Sequence, residues 1–132
     1  HAILNDETTF AANMHGKAPE VERGDAAFVK EIPISHAEPA ASLYTKTQEA
    51  GFQVFLNLLE ALSRGISIPR TPLKGESRFY SRSSLDTLRR VNNPGDMSEL
   101  DRKARAFWFP PFEPAFILAN GRKYHLYPET AP

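Results

Sequence analysis

The sequence predicts an α/β fold, and three features carry that reading. Two short apolar runs near the start read as strands, residues 36–63 form one long helical pattern, and a pair of strand-like runs near the end flanks Asn120-Gly121. Regular structure of both kinds alternates along only 132 residues, which suits one small domain or the end of a larger one.

Residues 9–15, Thr-Phe-Ala-Ala-Asn-Met-His, read as the first strand. A break follows between Gly16 and Gly24, with Pro19 inside it, and residues 26–32 form a second strand stopped by Pro33. The helix comes next. Ser35 and Glu38 have capping-box spacing, and Pro39 is tolerated in a first turn. Leu43, Thr47, Ala50, Val54, Leu58 and Leu62 recur at steps of three and four, Tyr44, Phe55 and Leu59 widen the stripe, and Gly65 is placed to end the helix.

Residues 66–78, with Pro69, Pro72 and Gly75, read as an irregular crossing. Ser83–Val91 forms a short helix with Ser83 and Asp86 as its cap pair. After the breaker Asn92-Asn93-Pro94-Gly95, Asp96 caps a further helix with Glu99 three residues on, at capping-box spacing, and Met97, Leu100, Ala104 and Phe107 on one side. The tail is a hairpin of Ala115–Ala119 and Arg122–Tyr127, because Asn-Gly tolerates positive φ at both central positions of a type I′ turn. One face is expected to gather Phe116 and Leu118 with some of Tyr124, Leu126 and the aromatics of residues 107–112.

Composition narrows the function. Apolar runs are only a few residues long, so no segment spans a membrane, and no basic start leads into an apolar signal segment. Cysteine is absent, which removes disulfides, thiolate metal sites and cysteine nucleophiles and fits a cytoplasmic protein. The four histidines, His1, His15, His36 and His125, have no metal-site spacing, so no metal is expected. The chain starts with His1 rather than methionine and is expected to begin inside a longer protein.

Net charge is zero but uneven: residues 1–63 hold four basic and nine acidic residues, and residues 64–105 hold ten and five. The basic stretch could face phosphate, or the two halves could complement each other across a fold or a dimer. Tyr80, between Arg78 and Arg82, reads as a stacking ring beside phosphate-binding guanidiniums, or equally as surface residues. The run Phe107-Trp108-Phe109-Pro110-Pro111-Phe112 reads as a core plug more readily than as a ligand platform. On pattern alone, Glu20, Glu22 and Asp25 read as an exposed acidic turn beside Lys17 and Arg23.

Four segments, in order, resemble one family. Val21-Glu22-Arg23-Gly24-Asp25 is similar to a segment in which an aspartate is followed, after one residue, by glycine and a second aspartate. Ala41-Ser42-Leu43-Tyr44-Thr45-Lys46 opens the helix as a Ser-Leu-Tyr with a lysine two residues on. Gly75–Arg82 resembles a segment with paired aromatics and a basic residue. Arg105–Ala115 is similar to an Arg-Ala and proline stretch leading into a hairpin. The family is that of the folate-dependent formyltransferases acting on sugar amines and methionyl-tRNA, and the resemblance covers about residues 8–128, corresponding to the C-terminal portion of such enzymes.

The resemblance implies transfer of a formyl group from 10-formyltetrahydrofolate to an amine. It implies that Glu22 stands at the family's catalytic carboxylate, one methylene longer than the usual aspartate. It implies folate contacts at Ala18, Pro19, Glu20 and Val21, while Tyr80 and Arg82 are the substrate-contact candidates that the residues themselves suggest. The family's catalytic asparagine and histidine belong to an upstream half that this sequence does not contain. Residues 1–64 are then expected to end a doubly wound catalytic sheet, and residues 65–132 to form a tail subdomain that builds a homodimer. The short tail favours an amino-sugar nucleotide over tRNA as acceptor. The alternative is a non-catalytic formyltransferase-like module for dimerisation or protein contacts, and a further one is a ligand-binding domain using the basic face and its aromatics.

Overall fold

A computed structural model describes residues 1–16, 25–71 and 80–129. The predicted mixture of helix and strand is borne out, in the order β1 Thr9–His15, β2 Ala26–Pro33, α1 Ala40–Ser63, α2 Ser84–Leu88, α3 Met97–Ala106, β3 Phe116–Ala119 and β4 Arg122–His125, with a 3-10 turn at Ile3–Asn5. The described strands form two separate antiparallel pairs, β1 with β2 and β3 with β4. The chain divides into two compact units: one of His1–Thr8, Ile34–Tyr44 and Arg78–Pro132, the other of Thr9–Pro33 and Thr45–Ser77.

In the second unit, β1 and β2 pair from Thr9↔Pro33 to His15↔Ala26, with a bulge between Met14 and His15. Side chains alternate along a strand, so Phe10, Ala12 and Met14 share a face with Phe28, Lys30 and Ile32. Ala12, Ala26 and Ile32 are buried. Part of α1 borders the same ladder: Ile32, Pro33, Ala50 and Phe52 line one groove. The buried stripe of α1 is Leu43, Ala50, Val54 and Ala61. Leu62, which the spacing assigns to this stripe, is 56% exposed; Ala61 takes its place, one position round the helix.

Gly65 ends α1 as predicted. Its φ is +62°, and Ile66 N–H reaches back to Ala61 O at 2.9 Å, a Schellman closure that a side chain at Gly65 would strain. Of the expected irregular crossing after it, residues 66–71 are described, and there Thr71 and Ala26 exchange both backbone hydrogen bonds at 2.8 Å.

In the first unit, Ser35 and Glu38 form a turn ahead of α1 rather than its cap. Glu38 N–H donates to the Ser35 carbonyl, and the Ser42 hydroxyl donates to the Glu38 carboxylate. Proline at 39 has no N–H and restricts its predecessor, so the helix starts only at Ala40. One orphan N–H of the first turn, that of Ala41, donates to Trp108 O at 3.1 Å.

The helix expected over 83–91 is shorter. Ser83 makes no side-chain cap bond, and the Asp86 carboxylate instead takes the Arg89 guanidinium at 2.8 Å. Asp96 caps α3 as read, accepting from Ser98 and Glu99 N–H at 3.0 and 3.1 Å. Met97, expected among the inward residues, is 72% exposed, whereas Ala104 and Phe107 are buried.

The hairpin is formed as predicted. Asn120 and Gly121 sit at its tip with φ of 50° and 72°, the left-handed pair a type I′ turn requires. Its register corrects the expected apolar face: Phe116 and Leu118 share a side with Lys123 and His125, and Tyr124 lies opposite with Ile117. The other edge of β3 is covered by residues 89–91, through Phe116 N–H to Arg89 O at 3.1 Å and Val91 N–H to Phe116 O at 2.9 Å. The Pro110–Pro111 peptide is cis.

Candidate functional site

The sequence-predicted residues Ala18, Pro19, Glu20, Val21 and Glu22 lie outside the described residues. What is described is the frame around them. They fall between β1 and β2, and the ladder is closed below them by Gly16 N–H donating to Asp25 O at 3.0 Å. His15 stands at this end of the ladder, exposed, with Nδ1 3.4 Å from the Asn13 side-chain oxygen. Asp25 is exposed at the same end. Two antiparallel strands thus deliver both ends of the candidate loop side by side, as a rigid scaffold does for a functional loop.

Tyr80 and Arg82 fall in the other unit, and they line different cavities. The Tyr80 ring stacks on His1 at 3.9 Å between centroids, and its hydroxyl accepts from Asn5 Nδ2 at 3.0 Å. It borders a cavity of about 420 Å³ that Ser84, Glu99, Arg102 and Lys103 also line. Arg82 borders a second cavity of about 690 Å³ together with Arg89, Phe107, Phe109 and Phe112. The structure therefore does not join ring and guanidinium into the single contact surface their spacing suggests.

One group of residues was not anticipated. Lys103 is buried on α3, and its ammonium donates to the Arg90 carbonyl at 2.6 Å and pairs with Glu99 at 2.8 Å. Glu99 also accepts from the backbone N–H groups of Asn92 and Asn93 at 3.4 and 3.3 Å. The hydrogen bond from Lys103 is the largest influence on its carboxyl and, with the two N–H groups and the charge of Lys103, holds it below the ordinary glutamate value against the opposing cost of burial. Glu99 thus ties the breaker before α3 to the helix instead of closing a capping box on Asp96. The sequence signal was the four-residue spacing of Glu99 and Lys103, repeated by Asp101 and Arg105, whose side chains meet at 2.8 Å. On the hairpin, Glu113 accepts from Lys123 at 2.8 Å and lies 3.4 Å from His125 Nε2, which lowers its pKa in the same way.

No family model matches the chain. A methionyl-tRNA formyltransferase of Polynucleobacter necessarius is 27% identical over 107 residues, 81% of this chain and 32% of that protein. The crystal structure of a 4-N formyltransferase from Francisella tularensis superposes on 98% of this chain and 55% of its own, with a TM-score of 0.81 and 19% identity. A sugar N-formyltransferase from Shewanella sp. FDAARGOS_354 covers 96% of this chain and 52% of its own at a TM-score of 0.77 and 19% identity. HypX from Aquifex aeolicus, solved with tetrahydrofolic acid, covers 96% of this chain and 22% of its own at 0.73 and 24%. The chain spans about a third of the curated relative and about half of the two N-formyltransferases. Among the described residues no helix is long and apolar enough to cross a membrane. The resemblance carried by the four motifs is thereby borne out: in sequence over 107 residues, and in fold over nearly its whole length, the chain is similar to the C-terminal portion of the formyltransferases.

Proposed function

We propose that this chain forms the C-terminal portion of a formyltransferase that moves a formyl group from 10-formyltetrahydrofolate to the amine of a nucleotide-linked amino sugar. The observation that carries the transfer reading is the match to methionyl-tRNA formyltransferase, 27% identical over 81% of the chain. A sugar acceptor, rather than tRNA, is supported by the likeness in fold to N-formyltransferases of which the chain covers about half, and by the excess of basic residues over 64–105.

In this reading the donor supplies the formyl carbon. The acceptor amine forms a bond to that carbon, the amine proton passes to a base, and the bond from carbon to the folate nitrogen breaks as that nitrogen takes up a proton and leaves as tetrahydrofolate. Glu22 is the carboxylate that orients and offsets the charge of that base. Ala18 to Val21 run along the folate, and the β1–β2 ladder fixes both ends of their loop. The asparagine and histidine that complete the chemistry come from an upstream half of the fold. The apolar side chains that α1 leaves exposed, Phe52, Phe55, Leu59 and Leu62, are a face that such a half would cover. Residues 1–64 belong to the catalytic domain, residues 65–132 form the tail, and the exposed Tyr124 on one face of the tail hairpin offers a homodimer contact in a cytoplasmic enzyme. Assay of formyl transfer from 10-formyltetrahydrofolate to an amino-sugar nucleotide, with methionyl-tRNA as the competing acceptor, tests the reading. Formylated sugar supports it; formylation of the tRNA alone overturns the choice of acceptor.

A further inference from the structure

We infer that Asn120, at the tip of the β3–β4 hairpin, is a modification site: its side chain closes spontaneously on the Gly121 nitrogen to a succinimide, which water opens to aspartate and isoaspartate. Both reacting groups are free. Among the described residues no hydrogen bond engages the Asn120 side chain or the Gly121 N–H. Asn120 and Gly121 are exposed. The space beside the Gly121 Cα is open, since a Cβ there would meet no atom within 4 Å.

The backbone conformation decides whether the two groups can meet. A five-membered ring needs the Gly121 nitrogen to eclipse Cβ of Asn120 about the Cα–C bond, which for an L-residue puts ψ at about −120°; a type I′ turn holds it at about +30°. A fixed turn would therefore protect the asparagine. Here the ladder and the central peptide are separable. Types I′ and II′ both serve a two-residue hairpin, share a positive φ at the first central residue, and differ by rotation of the peptide between the central pair; in type II′ the first has ψ of about −120°. Asn120 already has φ of 50°. Turning over the Asn120–Gly121 peptide thus reaches the reactive geometry while Ala119 stays paired with Arg122. It breaks no described hydrogen bond and moves no side chain at Gly121.

The Gly121 nitrogen then attacks the side-chain carbonyl carbon of Asn120. A C–N bond forms, that nitrogen loses its proton, and the bond to the side-chain amide nitrogen breaks, so ammonia leaves. Water adds at either ring carbonyl and leaves one new carboxylate. Isoaspartate carries the chain through Cβ and lengthens the turn by one backbone atom, so neither two-residue turn fits and the register it sets is loosened. The other asparagines lack these conditions. Asn57 lies within α1 and Asn13 within β1. The Asn5 side chain donates to the Tyr80 hydroxyl. Asn92 is followed by a residue with a side chain, and Asn93 by a proline without N–H.

Peptide mapping by mass spectrometry, on the folded chain held at mildly alkaline pH, tests the inference. The tryptic peptide ending at Arg122 should gain about 1 Da, with isoaspartate detected by enzymatic methylation, at least about tenfold faster than peptides carrying Asn13, Asn57 or Asn92. Asn120→Gly, which a type I′ turn accepts, should abolish the isoaspartate signal. In converted protein the amides of Ile117 and Tyr124, partners in the ladder, should exchange faster. Asn120 left intact in the folded chain while urea-unfolded chain converts, equal rates at all the asparagines, a signal that survives Asn120→Gly, or unchanged exchange at both amides overturns the inference.

Discussion

Glu99 shows how a residue can be placed correctly by the sequence and given the wrong partner. Its position three residues after Asp96 marks a helix start, and the helix does start there. Its carboxylate, however, turns to Asn92, Asn93 and Lys103, because a buried lysine needs a charge partner more than an exposed N-cap needs a second bond. The depressed pKa makes a testable statement about pH. The stabilisation is fully present above the ordinary glutamate value of 4.5 and is lost as pH falls through the lower folded-state value. Denaturant titrations between pH 6 and pH 3 should show this loss, and Glu99→Gln should be less stable at pH 6 and flatter across the range. A variant with the parent's pH profile would remove Glu99 from the account. Lys103→Ala, which leaves that carboxylate half-buried without its cation and the Arg90 carbonyl without its donor, should cost about 3 kcal/mol. Tyr80 and Arg82 are a second residue-scale lesson. Spacing in sequence puts them two apart, but the turn at Ser81–Ser83 sends them to different cavities, which no spacing rule reads.

At the scale of elements, the hairpin was the most legible piece, since Asn-Gly chemistry fixes the turn and the turn fixes the register. A Gly121→Val variant forces a β-branched residue to φ of 72° and should cost about 1–2 kcal/mol in thermal or denaturant melts. An unchanged midpoint would mean the hairpin is not part of the cooperative fold. Helix α1 was legible over its length because its period repeats for six turns, and Gly65 marked its end. Its start was misread by four residues, because Pro39 acts on backbone geometry while capping-box spacing records only side-chain types. The pairing of Thr71 with Ala26 and the parallel cover of β3 by residues 89–91 were illegible. Both are isolated bridges of two backbone hydrogen bonds between distant segments, and neither leaves a periodic trace.

For the whole molecule, family resemblance and fold likeness meet on one reading, while the oligomer rests on surface chemistry alone. If the tail builds a dimer, light scattering over a concentration series should give about twice 14.8 kDa, and a constant 14.8 kDa would refute it. The isolated 132-residue chain, spanning about half of the solved N-formyltransferases, is expected to show no turnover with 10-formyltetrahydrofolate and an amino-sugar nucleotide. The central claim is that this chain carries the acid of a formyltransferase at Glu22. It is tested most directly by measuring formyl transfer in a protein that joins this chain to the upstream half the proposal calls for, before and after substitution at that one position. Glu22→Gln should slow transfer by about a hundredfold or more, with Glu22→Asp keeping or raising the parent rate. Transfer at the parent rate by Glu22→Gln, or no formylated amine from the parent itself, would contradict it.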